Sequence, residues 1–248
     1  ELAMPDFQSP TLEPWFAVPF AITQGPVPLA VPDNPPRNFP AANPFLPENL
    51  SLLESDDAPI GLAVDQPGLQ LWLDTDVSFT TPRANIAIEL AVPGGLVSLR
   101  DASMARLFTR LVNDELTQST YPALLAGLGY NLSRTASGFA INISGYNDKQ
   151  ADFLAFVIDQ LLTAPLAESR FDSIKQSLIR DLENAAKDKP YNQTLTALND
   201  TLLGTSWPAQ AQAALLADLT LDELSSWRSE QFKRLSVRGG LHGNVALD

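Results

Sequence analysis

Few side chains in this 248-residue sequence could carry out nucleophilic, redox or metal chemistry. There is one histidine, His242, there are no cysteines, and 29 acidic residues outnumber 16 basic ones. A catalytic zinc site usually takes three protein ligands, most of them histidine or cysteine, and this sequence offers one such residue. The missing cysteines also exclude disulfides and thiol catalysis. We therefore predict no metal site and no catalytic residue in this chain, and the sequence assigns no substrate-binding residue.

Familiar catalytic motifs do not fit the sequence either. A helical His-x-x-Glu-His signature, or its inverted form, needs two histidines on one helical face. Ser144 lacks the two flanking glycines of a serine-hydrolase elbow, and His242 alone could serve as its base. The glycines Gly127 and Gly129 fail the dinucleotide fingerprint. We interpret Ser144 as a strand-end residue, the glycines as helix caps, and His242 as a structural residue of the last strand or of a sheet edge.

Carboxylates are more numerous and form four close pairs in the sequence: Asp56 with Asp57, Asp74 with Asp76, Asp114 with Glu115, and Asp222 with Glu223. A glycosidase-like site needs two such groups facing one cleft about 5 to 10 Å apart, which a sequence cannot place. The last pair has a helix N-terminal role, where negative charge is favourable. We expect the other pairs, and the charge run Lys187-Asp188-Lys189, to be solvated surface.

The formal net charge of −13 bears on the partners. It repels phosphate backbones and anionic lipid surfaces, so we expect no nucleic acid or membrane partner, and solubility is its simplest use. No apolar run approaches the roughly 20 residues that span a bilayer, and the acidic start is unlike a signal peptide. We expect a mature protein or an excised piece of a longer one.

The elements that would position these residues begin after a proline-rich lead. Twelve of the 20 prolines lie in residues 1–50, which should therefore be extended and irregular. Aromatic residues such as Trp15, Phe16 and Phe45 recur through this stretch, whereas disordered segments are poor in aromatics. We expect the lead to lie across another surface and bury those rings. The predicted organisation is an extended connector over residues 1–50 and an α/β domain over residues 51–248.

From about residue 50 the pattern becomes regular. Residues 69–76 and 85–92 are predicted strands, the second with apolar residues at every other position. Ser98 and Asp101 form a capping-box variant that opens a helix to about residue 118. Next come a short predicted helix over 122–128 ended by Gly129, a hairpin of strands 130–135 and 139–144, and a helix capped by Asn147 with Gln150. Pro165 separates that helix from a further one, in which Phe171, Ile174, Leu178 and Leu182 recur at near-helical spacing. The last predicted elements are helices over about 193–203 and 209–216, a helix opened by the capping box Thr220–Glu223, and a closing strand over 234–242.

This order of elements favours one fold class. Two strands, helices, a hairpin, more helices and a final strand suit an α+β fold, a two-layer sandwich with a largely antiparallel sheet and helices packed on one face. A doubly wound parallel sheet fits less well because strands and helices do not alternate singly. No internal repeat is present.

Several short sequence motifs, taken in their order along the chain, resemble those of a known family. They are Glu13-Pro14-Trp15-Phe16, Asn43-Pro44-Phe45-Leu46-Pro47, Leu71-Trp72 with Asp76, Phe79, Pro82 and Arg83, Tyr121 with Ala123 and Ala126-Gly127-Leu128, Gly138-Phe139, Gly145-Tyr146 with Lys149, Pro190-Tyr191 and Gly243-Asn244. Taken together, the sequence resembles the insulinase or pitrilysin-like zinc metallopeptidases, and in particular their non-catalytic middle domain with the preceding connector between the two halves. Trp72 and Phe79 are expected to be core or interface anchors.

The resemblance implies a role within a larger protein. Members of this family resemble a hinged clamshell of four related α/β domains, with zinc held on an inverted His-x-x-Glu-His helix in the N-terminal half. None of those ligands has a counterpart in this sequence, so no cofactor is expected here and zinc is expected in that other half. The implied partners are the remaining domains of the same polypeptide and a peptide substrate. A bacterial member would be expected in the periplasm.

Two functions follow from these observations. The first is a domain that encloses a peptide in the substrate chamber of a zinc metalloendopeptidase and is inactive alone. The alternative is a catalytically dead binding or scaffold module of the same fold. A third hypothesis, a self-contained hydrolase, would need a carboxylate pair in a cleft with a raised pKa.

Overall fold

The computed structural model of the protein describes residues 11–20, 41–54, 60–203 and 207–246. The chain divides into two units, residues 1–41 and residues 42–248. The described residues form seven α-helices, six strands in one sheet and two short strands in another.

In the smaller unit the described residues form a short antiparallel pair, β1 (Thr11–Leu12) with β2 (Pro19–Phe20). The Glu13 carboxylate accepts hydrogen bonds from the backbone N–H groups of Trp15 and Phe16 and so closes the turn. The Trp15 and Phe16 side chains are 85% and 84% exposed. The expectation that the lead buries its aromatic rings against another surface stays a prediction for these two residues, whereas Phe45, in the larger unit, is buried.

The larger unit is an α+β sandwich, which confirms the predicted fold class. Its strands are β3 (Gly61–Gln66), β4 (Leu69–Thr75), β5 (Arg83–Ala91), β6 (Gly129–Arg134), β7 (Gly138–Tyr146) and β8 (Ser236–Gly243). Its helices are α1 (Leu99–Ser119), α2 (Tyr121–Leu125), α3 (Gln150–Thr163), α4 (Glu168–Asn184), α5 (Pro190–Leu203), α6 (Ala209–Ala217) and α7 (Leu221–Gln231).

The sheet has the strand order β3-β4-β8-β5-β7-β6, and each neighbouring pair is antiparallel except β4 with β8. The closing strand β8 is therefore in the middle of the sheet, not at an edge. Strand β3 was not predicted, because it lies at the edge, is exposed along most of its length and contains an irregularity between Leu62 and Val64. A strand with little burial shows little apolar alternation.

Only one face of the sheet is covered by helices. In β5 the residues Ile86, Ile88 and Leu90 are buried, whereas Asn85 and Ala87 are exposed, as the alternation predicted. The buried side chains of β5 and β7 belong to a core that includes Phe108 and Leu111 of α1, Phe153 and Val157 of α3, Leu178 of α4, Leu216 of α6 and Trp227 of α7. The opposite face of the sheet carries no helix from the described residues.

Two helix starts have the predicted chemistry. The Ser98 hydroxyl accepts a hydrogen bond from the Asp101 N–H at 2.9 Å, which caps α1. At α7 the Thr220 hydroxyl accepts from the Glu223 N–H, and the Glu223 carboxylate accepts from the Thr220 N–H. Each cap satisfies backbone donors that have no partner inside the helix.

The predicted caps at Gly129 and Asn147 are wrong. Gly127, not Gly129, has the left-handed φ of +80°, and Gly129 begins β6. The Asn147 amide instead donates to the Asn244 carbonyl at 2.5 Å. Gln150 is 2% exposed and donates to the carbonyls of Ala84 and Gly145. These amides therefore fasten the ends of the strands, and α3 begins without a side-chain cap.

Candidate functional site

One side of the sheet is not covered by any helix of the described residues, and side chains of β5 and β7 are exposed there. We call it the open face, and its outward residues are Trp72, Asp74, Asn85, Ala87, Glu89, Ala140, Asn142, Ser144, Arg238, Gly240 and His242. Strand pairing aligns these residues in rows, since Gly240 lies beside both Trp72 and Ala87. The open face therefore combines aromatic, amide and charged groups on one rigid support.

The centre of the open face is recessed because the residues there are small. A Cβ atom added at Gly240 would meet no other atom within 4 Å, and its neighbour Ala87 carries a single methyl group. Around them lies a shallow depression of about 340 Å³, bordered by Trp72, Asn142 and Arg238. Trp72 is 37% exposed and Phe79 is 72% exposed, so neither is a core residue. Small residues at the centre let another backbone approach the sheet closely.

The structure brings His242 together with the carboxylate pair Asp74 and Asp76. His242 Nδ1 lies 2.8 Å from Asp74 Oδ2, and His242 Nε2 lies 3.8 Å from Asp76 Oδ2. Asp74 and His242 are paired in register on β4 and β8. Hydrogen bonds from the hydroxyl and N–H of Ser78 hold the pKa of the Asp76 carboxyl below its ordinary value of 3.8. The histidine thus connects the ends of the parallel pair.

This cluster lacks the geometry of a hydrolase triad. Ser144 pairs with Asn85, which in turn pairs with His242, so two strand spacings, about 10 Å, separate Ser144 from His242. The Asp76 carboxylate lies on the Nε2 side of the imidazole, where a nucleophile would have to stand. The Ser78 hydroxyl donates its hydrogen bond to the Asp76 carboxylate and not to the imidazole of His242.

The other carboxylate pairs have separate roles. Asp114 of α1 accepts two hydrogen bonds from Arg170 of α4, at 2.9 and 2.7 Å. Glu223 belongs to the capping box of α7, as predicted. Asp56 and Asp57 lie outside the described residues. Within the described ranges, Asp114 and Glu223 therefore do not belong to a cleft with two facing carboxylates.

A zinc centre does not fit the side chains of this chain. Across residues 11–20, 41–54, 60–203 and 207–246, no three His, Cys, Asp or Glu side chains are arranged to hold a metal ion. The two ring nitrogens of His242 already face two different carboxylates. We therefore derive no metal-dependent step from the residues of this chain. Nor does any helix in the described part of the chain have the length and hydropathy to cross a membrane.

Ala87, Gly240 and Arg238 of the open face were not among the candidate residues predicted from the sequence. Alternation in β5 indicated that Ala87 points away from the core, and this was the available signal. The position of Gly240 beside Trp72 depends on the parallel pairing of β4 and β8, whose partners are more than 160 residues apart. That pairing cannot be read from local periodicity.

Comparison with known proteins places the sequence in a peptidase family. A family model described as the middle or third domain of peptidase M16 matches residues 3–215. Insulin-degrading enzyme of Homo sapiens is 32% identical over 210 residues, which cover 84% of this chain and 21% of that protein. Insulin-degrading enzyme-like 1, peroxisomal, of Arabidopsis thaliana is 28% identical over 246 residues, covering 96% of this chain and 25% of that protein.

A solved structure shows the same fold. The crystal structure of pitrilysin superposes with a TM-score of 0.78 and 20% identity, covering 84% of this chain and 22% of the pitrilysin chain. The chain thus spans about a fifth to a quarter of the length of these relatives. Because the family model matches most of the sequence, this chain belongs to the peptidase M16 family, as its middle or third domain.

Proposed function

We propose that this chain is a non-catalytic wall of the substrate chamber in a zinc metalloendopeptidase. The observation that carries the proposal is the open face, a sheet surface on which no helix of the described ranges packs, in a domain of a peptidase family. The whole sequence has one histidine and no cysteine, so the zinc and its ligands would come from the N-terminal half of the parent polypeptide.

The open face has the chemistry to hold an unfolded peptide. Ala87 and Gly240 leave room for a peptide backbone, and Trp72 offers an apolar surface for its side chains. Asn142 and Arg238 supply hydrogen-bond donors, and Asn142 also supplies an acceptor. A surface of this mixed kind suits contact with varied sequences, because no single deep pocket selects one side chain.

The proposal can be tested by photo-crosslinking in the complete polypeptide that contains this chain. Benzoylphenylalanine is introduced in place of Ala87 on the open face, and in a control in place of Ala155, an exposed residue on α3. A bound peptide should be labelled from position 87 and not from position 155. Labelling from position 155 alone, or from neither position while the polypeptide binds peptide, would contradict the assignment of the open face.

Inactivity of the isolated chain is a separate part of the proposal. Purified residues 1–248 should leave a fluorogenic peptide uncleaved, with or without added zinc. Cleavage that a chelator abolishes would show that a metal site exists in this chain.

The alternative remains a catalytically dead binding or scaffold module. It shares the fold and the open face, so these features do not separate it from a chamber wall. The two differ in the rest of the polypeptide, which would contain a two-histidine zinc helix in the first case and lack it in the second. Reading the complete coding sequence decides between them.

A further inference from the structure

Three arginines lie close together where α1 passes the edge strand β6. Arg106 and Arg110 are one helical turn apart on α1, so they share a face of the helix. The Asn113 amide, one turn further on, donates to the Leu132 carbonyl at 3.1 Å and fixes β6 beside α1. Arg134 is two residues after Leu132 and therefore points to the same, helix-covered side of the sheet. The charges of Arg110 and Arg134 both act on Arg106, which is consistent with this placement of the three residues beside one another.

The positive charge of this cluster is incompletely balanced. Arg110 forms an ion pair with Asp181 of α4 at 2.7 Å. Arg106 contacts a neutral group, the Gln212 side-chain oxygen, at 3.5 Å. Arg134 makes no hydrogen bond, ion pair or ring contact with any residue of the described ranges. Three cations therefore share one carboxylate, in a chain whose formal net charge is −13.

These arginines are also partly withdrawn from water. Burial, with the nearby charges of Arg110 and Arg134, lowers the pKa of Arg106. Burial likewise lowers the pKa of Arg134. A guanidinium stays charged at neutral pH, so its partial desolvation is unfavourable unless an anion compensates. The arrangement therefore favours the binding of an anion beside Arg106 and Arg134.

We propose that Arg106 and Arg134 form a binding site for a side-chain carboxylate of an extended peptide segment. The planar fork of a guanidinium matches a carboxylate with two parallel hydrogen bonds. Arg134 lies on the outermost strand of the sheet, where an extended segment has access to unpaired backbone groups. The site lies on the helix-covered side and so is distinct from the open face. Because it needs neither zinc nor hydrolysis, its test is independent of the chamber proposal.

The experiment follows arginine side chains by NMR in the 248-residue protein. The probe is a capped peptide, acetyl-Ala-Glu-Ala-Glu-Ala-amide, and its matched control has glutamine in place of both glutamates. The eleven arginines give few Nε–Hε signals to resolve. The glutamate peptide should shift the signals of Arg106 and Arg134 in a saturable manner, and the glutamine peptide should not. Inorganic phosphate at the same concentration should shift them less.

Substitutions then assign the effect to these residues. Arg134→Gln should weaken binding of the glutamate peptide about tenfold or more, because a charge-assisted hydrogen bond is lost. Arg134→Lys keeps the charge but loses the fork, so it should give an intermediate affinity. Arg180→Gln, at an exposed position of α4, is the control and should leave binding unchanged. Circular dichroism verifies that each variant is folded, and Arg106→Gln replaces Arg134→Gln if the latter is not.

Four outcomes would overturn the proposal. The first is that the Arg106 and Arg134 signals do not move with the glutamate peptide. The second is an equal response to the glutamine peptide, which would show that no carboxylate is recognised. The third is an equal or stronger response to phosphate, which would identify a general anion site. Unchanged affinity in the folded Arg134→Gln variant would remove Arg134 from the site.

Discussion

Gly138 and Gly240 lie in neighbouring regions of the sheet but have opposite surroundings. A Cβ atom at Gly138 would overlap the carbonyl oxygen of Leu90, which is backbone and cannot turn aside. A Cβ atom at Gly240 would project into the open face without a neighbour within 4 Å. Neither glycine has a positive φ, so the difference comes from space and not from backbone conformation.

We predict that Gly138→Ala lowers the free energy of unfolding by about 1–3 kcal/mol, because β5 and β7 must separate to admit the methyl group. Gly240→Ala is the matched control. It should change the free energy of unfolding little or raise it slightly, since alanine restricts the unfolded chain. Urea denaturation followed by circular dichroism measures both. Equal losses in the two variants would contradict the packing described at Gly138.

At the scale of elements, α1 and α4 are joined at the surface by Asp114 and Arg170. The two hydrogen bonds of Arg170 to the carboxylate lower the pKa of Asp114 below its ordinary value of 3.8. Since the pKa is lower in the folded state, the pair stabilises the fold above the unfolded pKa. That stabilisation is lost as the pH falls through the folded pKa. The pair is partly exposed, so water and salt weaken it.

We predict that Asp114→Asn lowers the free energy of unfolding at pH 7 by about 0.5 kcal/mol, the size typical of exposed pairs. The difference from the unsubstituted protein should shrink as the pH is lowered through about 4 and below, where the carboxylate becomes protonated. Asp159→Asn on α3 is the control, because Asp159 forms no ion pair within the described ranges. Urea denaturation across the pH series gives the result. A loss that stays constant with pH would exclude the ion pair as its cause.

At the scale of the whole molecule, the core of the larger unit begins at Phe45. The Phe45 ring packs edge-on against Phe153 at 5.2 Å and against Phe156 at 6.1 Å. Nearby, the Asn43 amide donates to the Pro122 carbonyl at 2.8 Å. The described core residues all lie within residues 42–248. The end of the proline-rich stretch is thus part of the folded sandwich.

We predict that a chain starting at residue 42 folds with an unfolding free energy close to that of the full chain. Removing residues up to 50 should lower it by about 3 kcal/mol or more, because an aromatic side chain leaves the core. Phe45→Ala in the chain starting at residue 42 separates the loss of this ring from the loss of backbone. The same truncations test the proposed boundary between a connector over residues 1–50 and a domain over residues 51–248. Equal stability of the two truncated chains would support that boundary.

Much of the local structure could be predicted from the sequence. The alternation through Ile86, Ile88 and Leu90 identified β5 and its buried face, and the capping boxes at Ser98 and Thr220 located two helix starts. Both signals depend on residues that are near one another in the chain, since periodicity and capping are local effects. The short motifs, in their order along the chain, were also sufficient to identify the middle domain of a peptidase family.

The arrangement of the surfaces was decided by the tertiary structure. The insertion of β8 between β4 and β5 places His242 beside Asp74, and it places Gly240 between Trp72 and Ala87. The packing of α1 along β6 likewise brings Arg106 to Arg134. These contacts join residues that are far apart in the sequence. The register of the strands is set when the apolar faces of the sheet and of the helices are buried together. The sequence by itself determined most of the elements, the family and the scarcity of histidine and cysteine, because these depend on local patterns and on composition. Packing decided which polar groups meet on the two sides of the sheet.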